Sequence, residues 1–175
     1  LEETNRERLI ESLIDSYETQ ITKLAYLYVQ DWSTAQDICQ EVFIKAYHSI
    51  DNFHKDSSYK TWIYRITVNH CKDYRKSAYF RRNKLVDEFH RFFNKAVVAI
   101  PEQEFLKSEE KNKVSQHIFA LPLKYQEIIL LYYYEELSTQ EIGELLNINS
   151  STVRTRLERG RQKLKVTLQK EGTDE

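Results

Sequence analysis

The sequence predicts an all-α protein of two small helical units joined by a connector. Three observations predict it. Glycine and proline are scarce, at three and two among 175 residues, while strong helix formers dominate. Apolar residues recur at three- and four-residue intervals along most of the chain. No stretch of useful length alternates apolar and polar residues, as a half-buried strand would. The length suits one ordinary domain or two small ones. No internal repeat is found.

Each element has its own signal. Leu9, Leu13, Ile14, Tyr17, Ile21, Leu24, Ala25 and Tyr28 predict a helix over 4–29. The stretch DWSTAQ breaks it. Ser33 and Gln36 fit an S-x-x-Q capping box that opens a second helix to about Ser49. A polar loop, DNFHKDSS, carries one aromatic, Phe53, and YKTWIYRITVNHCKDYRKSAYFRR reads as a third helix over 59–82. Residues 83–105 mix apolar and polar character and reach Pro101, which suits a partly helical linker. Phe89, Phe92 and Phe93 are too apolar for a free coil and are expected to dock. Helical patterning resumes at Ser108, Pro122 opens a further helix, and Ser138 with Glu141 forms an S-x-x-E capping box. The predicted units are therefore 1–82 and 106–170, with a linker over 83–105 and a tail over 171–175.

Net charge is −1, so bulk charge names no partner, but its distribution is uneven. Residues 1–53 are acidic, whereas 55–84 and 154–170 are basic. Two separated basic segments fit two contacts on one polyanion. No apolar run approaches the roughly 20 residues of a membrane span. No signal peptide is visible, but the chain begins at Leu1 rather than at a methionine, so that absence carries little weight. Cys39 and Cys71 make no disulfide framework and read as reduced, buried thiols of a cytosolic protein. The five histidines form no H-E-x-x-H, the cysteines no C-x-x-C, and no Gly-rich phosphate loop occurs. No metal, cofactor, small-molecule substrate or catalysis is expected.

The chemistry is concentrated in STQEIGELLNINSSTVRTRLERGRQKL, residues 138–164. Two short helices meet at NIN. At about 100° per residue, Val153, Leu157, Gly160 and Leu164 share one face of the second. Gly160 within that face implies close packing, since a mid-helix glycine costs about 1 kcal/mol. Ser151, Thr155, Glu158 and Gln162 lie opposite. Thr152, Arg154, Arg156, Arg159, Arg161 and Lys163 flank them. Short polar groups and an arginine near the N-terminus can reach base edges, and flanking cations can reach phosphates. This is a helix-turn-helix for duplex DNA.

The helix over 59–76 is also basic. Tyr59, Trp62, Ile63, Ile66 and His70 are expected on one face, with Trp62 in the core. Arg65, Lys72 and Lys76 share another face, with Arg75 beside them. Asn69 and Asp73 stand on the border, where an amide and a carboxylate can read a base. Phe53, His54, Lys55, Asp56 and Ser57 precede this helix, and aromatics beside cations suit an unstacked single strand. On the helix over 33–49, Ala35, Ile38, Cys39, Val42 and Ala46 form the core face. Ile44 and Tyr47 point away beside Asp37, Gln40 and Glu41, as a protein partner would require. Residues alone leave open a conventional helix-turn-helix regulator that dimerises through 1–82.

AQDICQEVFIKAYHSIDNF, YKTWIYRITVNHCKDYRK and the 138–164 stretch resemble regions 2.2, 2.3–2.4 and 4.2 of bacterial extracytoplasmic-function (ECF) sigma factors, the sigma-70 group that has only domains σ2 and σ4. The resemblance implies a σ2 helix bundle, a σ4 helix-turn-helix and promoter-specific transcription initiation without covalent chemistry. It implies that Asp37, Gln40, Glu41 and Phe43 grip the clamp helices of the RNA polymerase β′ subunit. It implies that Leu130, Leu131 and Tyr134 meet the β flap. Phe53 to Ser58 would pocket a flipped −10 base, and Asn69 and Asp73 would read the −10 element. Ser151, Thr152, Arg154, Thr155 and Arg156 would read the −35 element, with Glu158 accepting from a cytosine amine and Arg159 beside them. The linker would thread through polymerase towards the RNA path. A membrane-anchored anti-sigma factor that occludes both domains until stress, and a cytoplasmic location, are implied as well.

Overall fold

The computed structural model describes residues 3–53, 57–83 and 109–171. The elements are α1 (Glu3–Val29), α2 (Trp32–Ser49), a 3₁₀ turn (Ile50–Asn52), α3 (Tyr59–Asn83), α4 (Glu109–Phe119), α5 (Leu123–Ile129), a π-helical segment (Leu130–Tyr134), α6 (Thr139–Leu146) and α7 (Ser150–Glu171). No strand occurs among the described residues. Nor is any described helix long and apolar enough to cross a membrane. The chain divides into two compact units, Leu1–Ala99 and Ile100–Glu175. The expected docking of Phe89, Phe92 and Phe93 lies outside the described residues, as do His54, Lys55 and Asp56.

In the first unit α1, α2 and α3 pack against one another. The second half of α1 is buried almost all round, from Ile21 through Tyr28, because it lies against both neighbours. Simple periodicity therefore missed Tyr26 and Leu27, which belong to the core with the expected Leu24 and Tyr28. Gln30 ends α1 in the left-handed region at φ 56°, its backbone N–H donating to Tyr26 O at 2.9 Å and its side-chain Nε2 to Leu27 O at 3.0 Å. Asp31, not Ser33, caps α2. Its carboxylate accepts from the Thr34 amide at 2.7 Å, and hydrogen bonds from the Thr34 side chain and then from that amide hold the Asp31 carboxyl below its usual range. The cap thus stands two residues ahead of the S-x-x-Q pattern, and the Trp32 ring that follows it rests 5.8 Å from Tyr26. Ala35, Ile38, Cys39, Val42 and Ala46 are buried as predicted. Ser58 caps α3 by accepting from the Thr61 amide at 3.1 Å.

On α3 the buried arc is Ile63, Tyr64, Thr67, Val68 and Cys71. The expected face of Tyr59, Trp62, Ile66 and His70 is only half-buried or exposed, with Ile63 its one core member. Trp62 is thus not the core residue that its size suggested. Cys39 and Cys71 are both reduced and buried, and burial pushes the Cys71 thiol up to about 12.

In the second unit α7 packs on α4, α5 and α6. Gln126 is buried and its amide donates to Phe119 O at 2.7 Å and Leu121 O at 2.6 Å, which fixes the turn before α5. The chain then widens into the π-helical segment, where the Glu135 amide reaches back to Leu130 O. Ser138 forms the predicted capping box. Its hydroxyl accepts from the Glu141 amide at 3.2 Å, and its own amide donates to the Glu141 carboxylate at 2.8 Å. Asn147 turns left-handed at φ 57°, and α7 begins at Ser150. Val153, Leu157 and Gly160 are buried, and Leu164 is half-buried.

Both helical glycines mark close approach. A Cβ on Gly160 would stand 3.0 Å from Ile129 Cδ1, the flexible end of a side chain. A Cβ on Gly143 would stand 2.8 Å from the backbone oxygen of Ile148. That second position was not singled out in the sequence, because nothing local marks the returning backbone. Gly143→Ala is expected to lower stability by about 1–3 kcal/mol, since the turn backbone must shift. Gly160→Ala is expected to stay within about 1 kcal/mol of the parent, because improved helix propensity offsets the displaced methyl. Urea unfolding of both variants checks the ordering; equal stabilities would remove the backbone contact as the reason for Gly143.

Candidate nucleic-acid and protein interfaces

The exposed arc of α7 carries Ser151, Arg154, Thr155, Glu158, Arg159 and Gln162, with Thr152 and Arg156 half-buried beside it. These residues lie together as predicted, because the core takes Val153, Leu157 and Gly160 on the other side. A polar recess of about 360 Å³ opens between Ser151, Thr152, Thr155, Arg156 and Arg159 of α7 and Lys124 and Tyr125 of α5. Lys124 was not expected there; it comes from a different helix and only the packing brings it in. Arg156 leans on Glu127, with 3.9 Å between Nη1 and Oε1, and the Glu127 carboxylate is nearly buried. Glu158 is not isolated. Gln162 donates to it at 3.3 Å and Arg161 lies 3.7 Å away. Polar hydroxyls flanked by guanidinium groups at the start of a long helix suit base edges and phosphates together.

The second arc lies on α3. Asn69, Asp73, Arg75 and Lys76 are exposed, and Arg65 and Lys72 are half-buried. Arg65 Nε is buried without a hydrogen-bond partner. Asp73 stands 4.0 Å from Lys76 one turn on, which offsets part of its repulsion from an anionic strand. At the head of α3, three rings form a platform. Phe53 stacks on Tyr59 with centroids 4.3 Å apart and planes 23° apart, and Trp62 meets Phe53 edge-on at 5.4 Å. Phe53 and Ser57 are half-buried, and Tyr59 is exposed. Tyr59 and Trp62 were read as helix-face residues; the structure joins them to the loop ring instead. A partly exposed aromatic stack at the head of a basic helix is what an unpaired base needs.

Two further surfaces are apolar or acidic. On α2, Asp37, Gln40, Glu41 and Ile44 are exposed, Ile44 by 56%, while Tyr47 is half-buried under the Arg6 guanidinium, 5.5 Å from its ring. Arg6 also pairs with Asp51. Phe43 is only 7% exposed and belongs to the core, so its ring is not presented to a partner. In the second unit, Tyr134 is 61% exposed as expected, but Leu131 is fully buried and Leu130 nearly so. Of the expected trio, Tyr134 alone stands at the surface. The available surface is a groove of about 600 Å³ between α4, the π-helical segment and the end of α7. Val114, Ile118, Ile129, Leu164 and Leu168 line it, with Tyr133, Tyr134, Arg161 and Lys165 at its edges. Arg161 is held there by Tyr133, whose hydroxyl accepts from Nε at 2.7 Å, and its guanidinium lies 5.6 Å from that ring. Among the described residues no group of three or more His, Cys, Asp or Glu side chains could hold a metal.

Comparison with known proteins points the same way. A family model described as "Sigma-70 region 2" matches residues 13–81, and one described as "Sigma-70, region 4" matches residues 115–164. The ECF RNA polymerase sigma factor SigW of Bacillus subtilis is 37% identical over 162 residues, which cover 89% of this chain and 87% of that one. The ECF RNA polymerase sigma-E factor of Escherichia coli is 33% identical over 157 residues, covering 86% and 81%. Among solved structures, the sigma factor RpoE of Bartonella quintana, in complex with the anti-sigma factor NepR, superposes with a TM-score of 0.72 at 19% identity. That match covers 91% of this chain and 96% of the other, and it shows a common fold.

Proposed function

The chain belongs to the ECF sigma factors of the sigma-70 family, RNA polymerase initiation factors without catalysis of their own, and from that premise we propose which face does what. The α7 arc reads the −35 element in the major groove: Arg154 and the hydroxyls of Ser151, Thr152 and Thr155 approach base edges, and Lys124, Arg156 and Arg159 approach phosphates. The α3 arc and the ring platform take the −10 element once it opens. Asn69 and Asp73 read a base, Arg65, Lys72 and Lys76 hold the strand, and Phe53, Tyr59 and Trp62 receive an unstacked base. Unstacking costs a few kcal/mol, and stacking on a ready platform offsets it. Asp37, Gln40, Glu41 and Ile44 meet the β′ clamp helices. The groove edged by Tyr133, Tyr134 and Arg161 takes the β flap in place of the buried Leu130 and Leu131.

The observation that carries this reading is the pairing of two reader types in one chain. One is a duplex reader on a helix-turn-helix; the other is an aromatic platform at the head of a second basic helix. A free-standing duplex regulator has use for the first and none for the second. Joined on one polymerase, two weak readers act as one ligand, so neither half need bind tightly alone. We also propose that an anti-sigma factor, anchored in the membrane, keeps the chain inactive in the cytoplasm until a stress signal. The exposed apolar groove supports a protein cover, since apolar surface of this kind is costly in water.

Transcription in vitro with core polymerase on a promoter library tests the whole. Start-site selectivity that appears only when the chain is added is expected; tight duplex binding by the free chain, with no gain from core enzyme, would overturn it. Arg154→Ala is expected to relax preference at one −35 position by about 1–3 kcal/mol, the worth of a good base contact. Promoter competition measures it, and an unchanged −35 preference would remove Arg154 from the reading arc. Asn69→Ala is expected to slow strand opening several-fold more than it weakens the closed complex. Potassium permanganate footprinting against time, beside closed-complex binding, distinguishes the steps; equal effects on both would reject its role.

A further inference from the structure

Glu41 and Lys45 stand one turn apart on α2, at the spacing where a carboxylate and an ammonium pair directly. The structure places the His70 ring of α3 against both instead. Lys45 Nζ meets Nδ1 of the ring, and Nε2 lies 2.6 Å from Glu41 Oε2. An ammonium only donates, so Nδ1 accepts. The ring proton then sits on Nε2 and is donated to the carboxylate. One neutral imidazole thereby serves an anion and a cation together. The His70 side chain is 12% exposed, whereas that of Glu41 is 58% exposed. The anchor is seated in the seam between two helices, and the group it holds faces outward. A carboxylate has room for about four hydrogen bonds, so a partner still has access to it.

We infer that His70 is a positioning residue, which presets Glu41 for core polymerase and ties the polymerase-facing helix α2 to the DNA-reading helix α3. The inference rests on the reading of the α2 outer face as the polymerase grip. A free glutamate loses its rotamer freedom when a partner binds, and that loss weakens binding by about three- to tenfold. Here the ordering is made on folding, before the partner arrives. The same ring belongs to the helix that carries Asn69, its chain neighbour, so a shift of α3 on the strand is felt at Glu41.

The test is a double-mutant cycle on the affinity of the full chain for core polymerase, with circular dichroism melting of each variant. Glu41→Gln is expected to weaken binding. His70→Ala is expected to weaken it by about three- to tenfold and to cost nothing further in a Glu41→Ala background, where the ring has no acceptor left to hold. His70→Gln, whose amide can donate and accept, is expected to recover most of the loss. His70→Leu, which keeps volume without hydrogen bonds, carries the same comparison if His70→Ala does not fold. If Glu41→Gln impairs binding while His70→Ala leaves it intact, or if the effects of His70→Ala and Glu41→Ala add in full, the positioning role is overturned and the polymerase-facing surface stands. The role is overturned equally if His70→Gln recovers nothing. If Glu41→Gln itself binds as the parent does, the reading of the α2 face fails and the role of His70 falls with it.

Discussion

A helix has one circumference, and in both units it must be divided between a core arc and the arc proposed to read DNA. Everything functional in this chain depends on that division. On α7 the core arc is made narrow by Gly160, which lets the helix settle against Ile129 and Tyr125. The rest of the circumference is left for hydroxyls and guanidinium groups. On α3 the core arc uses small and β-branched residues, Thr67, Val68 and Cys71, beside Ile63 and Tyr64. A helix so seated cannot rotate without burying an arginine or exposing a valine, and either costs more than about 1 kcal/mol. The reading arcs are therefore aimed by packing, before any DNA is present.

Where the division repeats at a steady 3.6 residues, the sequence alone revealed it. The core face of α2, the capping box at Ser138 and the buried face of α7 were all legible, since each rests on residues within about three turns of one another. The failures have physical causes of the opposite kind. Asp31 beat Ser33 as the cap because Trp32 finds Tyr26, a contact across a turn. The trio at Leu130, Leu131 and Tyr134 was implied by resemblance alone, and the stretch winds as a π-helix, whose faces a sequence pattern does not reveal. Leu130 and Leu131 turn inward, and Tyr133 and Tyr134 outward. The groove was invisible because α4, the π segment and the end of α7 are far apart in sequence. Trp62 looked like core because of its size, but the core arc of α3 is filled by smaller residues, and the indole serves the ring platform instead.

Charge is managed by the same economy of surface. Net charge is almost zero, yet the cations that matter stand on two exposed arcs. Acids near those arcs are mostly engaged. Glu127 is drawn under Arg156, Glu158 is met by Gln162 and Arg161, and Asp73 faces Lys76. Each engagement lowers the repulsion that a free carboxylate would exert on a phosphate, at the cost of damping one cation. The reading arcs end up moderately rather than strongly basic. That suits a protein whose specificity must come from two linked weak contacts, because strong nonspecific attraction would hold it on any duplex.

The two units solve the order of events differently. In the proposed reading, the α7 arc presents guanidinium groups to a duplex whose shape is already set, so adaptable side chains are sufficient. The head of α3, in the same reading, meets a base that must first leave its stack. There the energy of opening has to be returned at once, and only a surface already ordered can return it without an entropy loss of its own. Phe53, Tyr59 and Trp62 meet that demand: each ring contacts the other two, and Phe53 is set by the 3₁₀ turn through the hydrogen bond its backbone N–H donates to Ile50 O. Rigidity is thus placed where the nucleic acid must change, and flexibility where it need not.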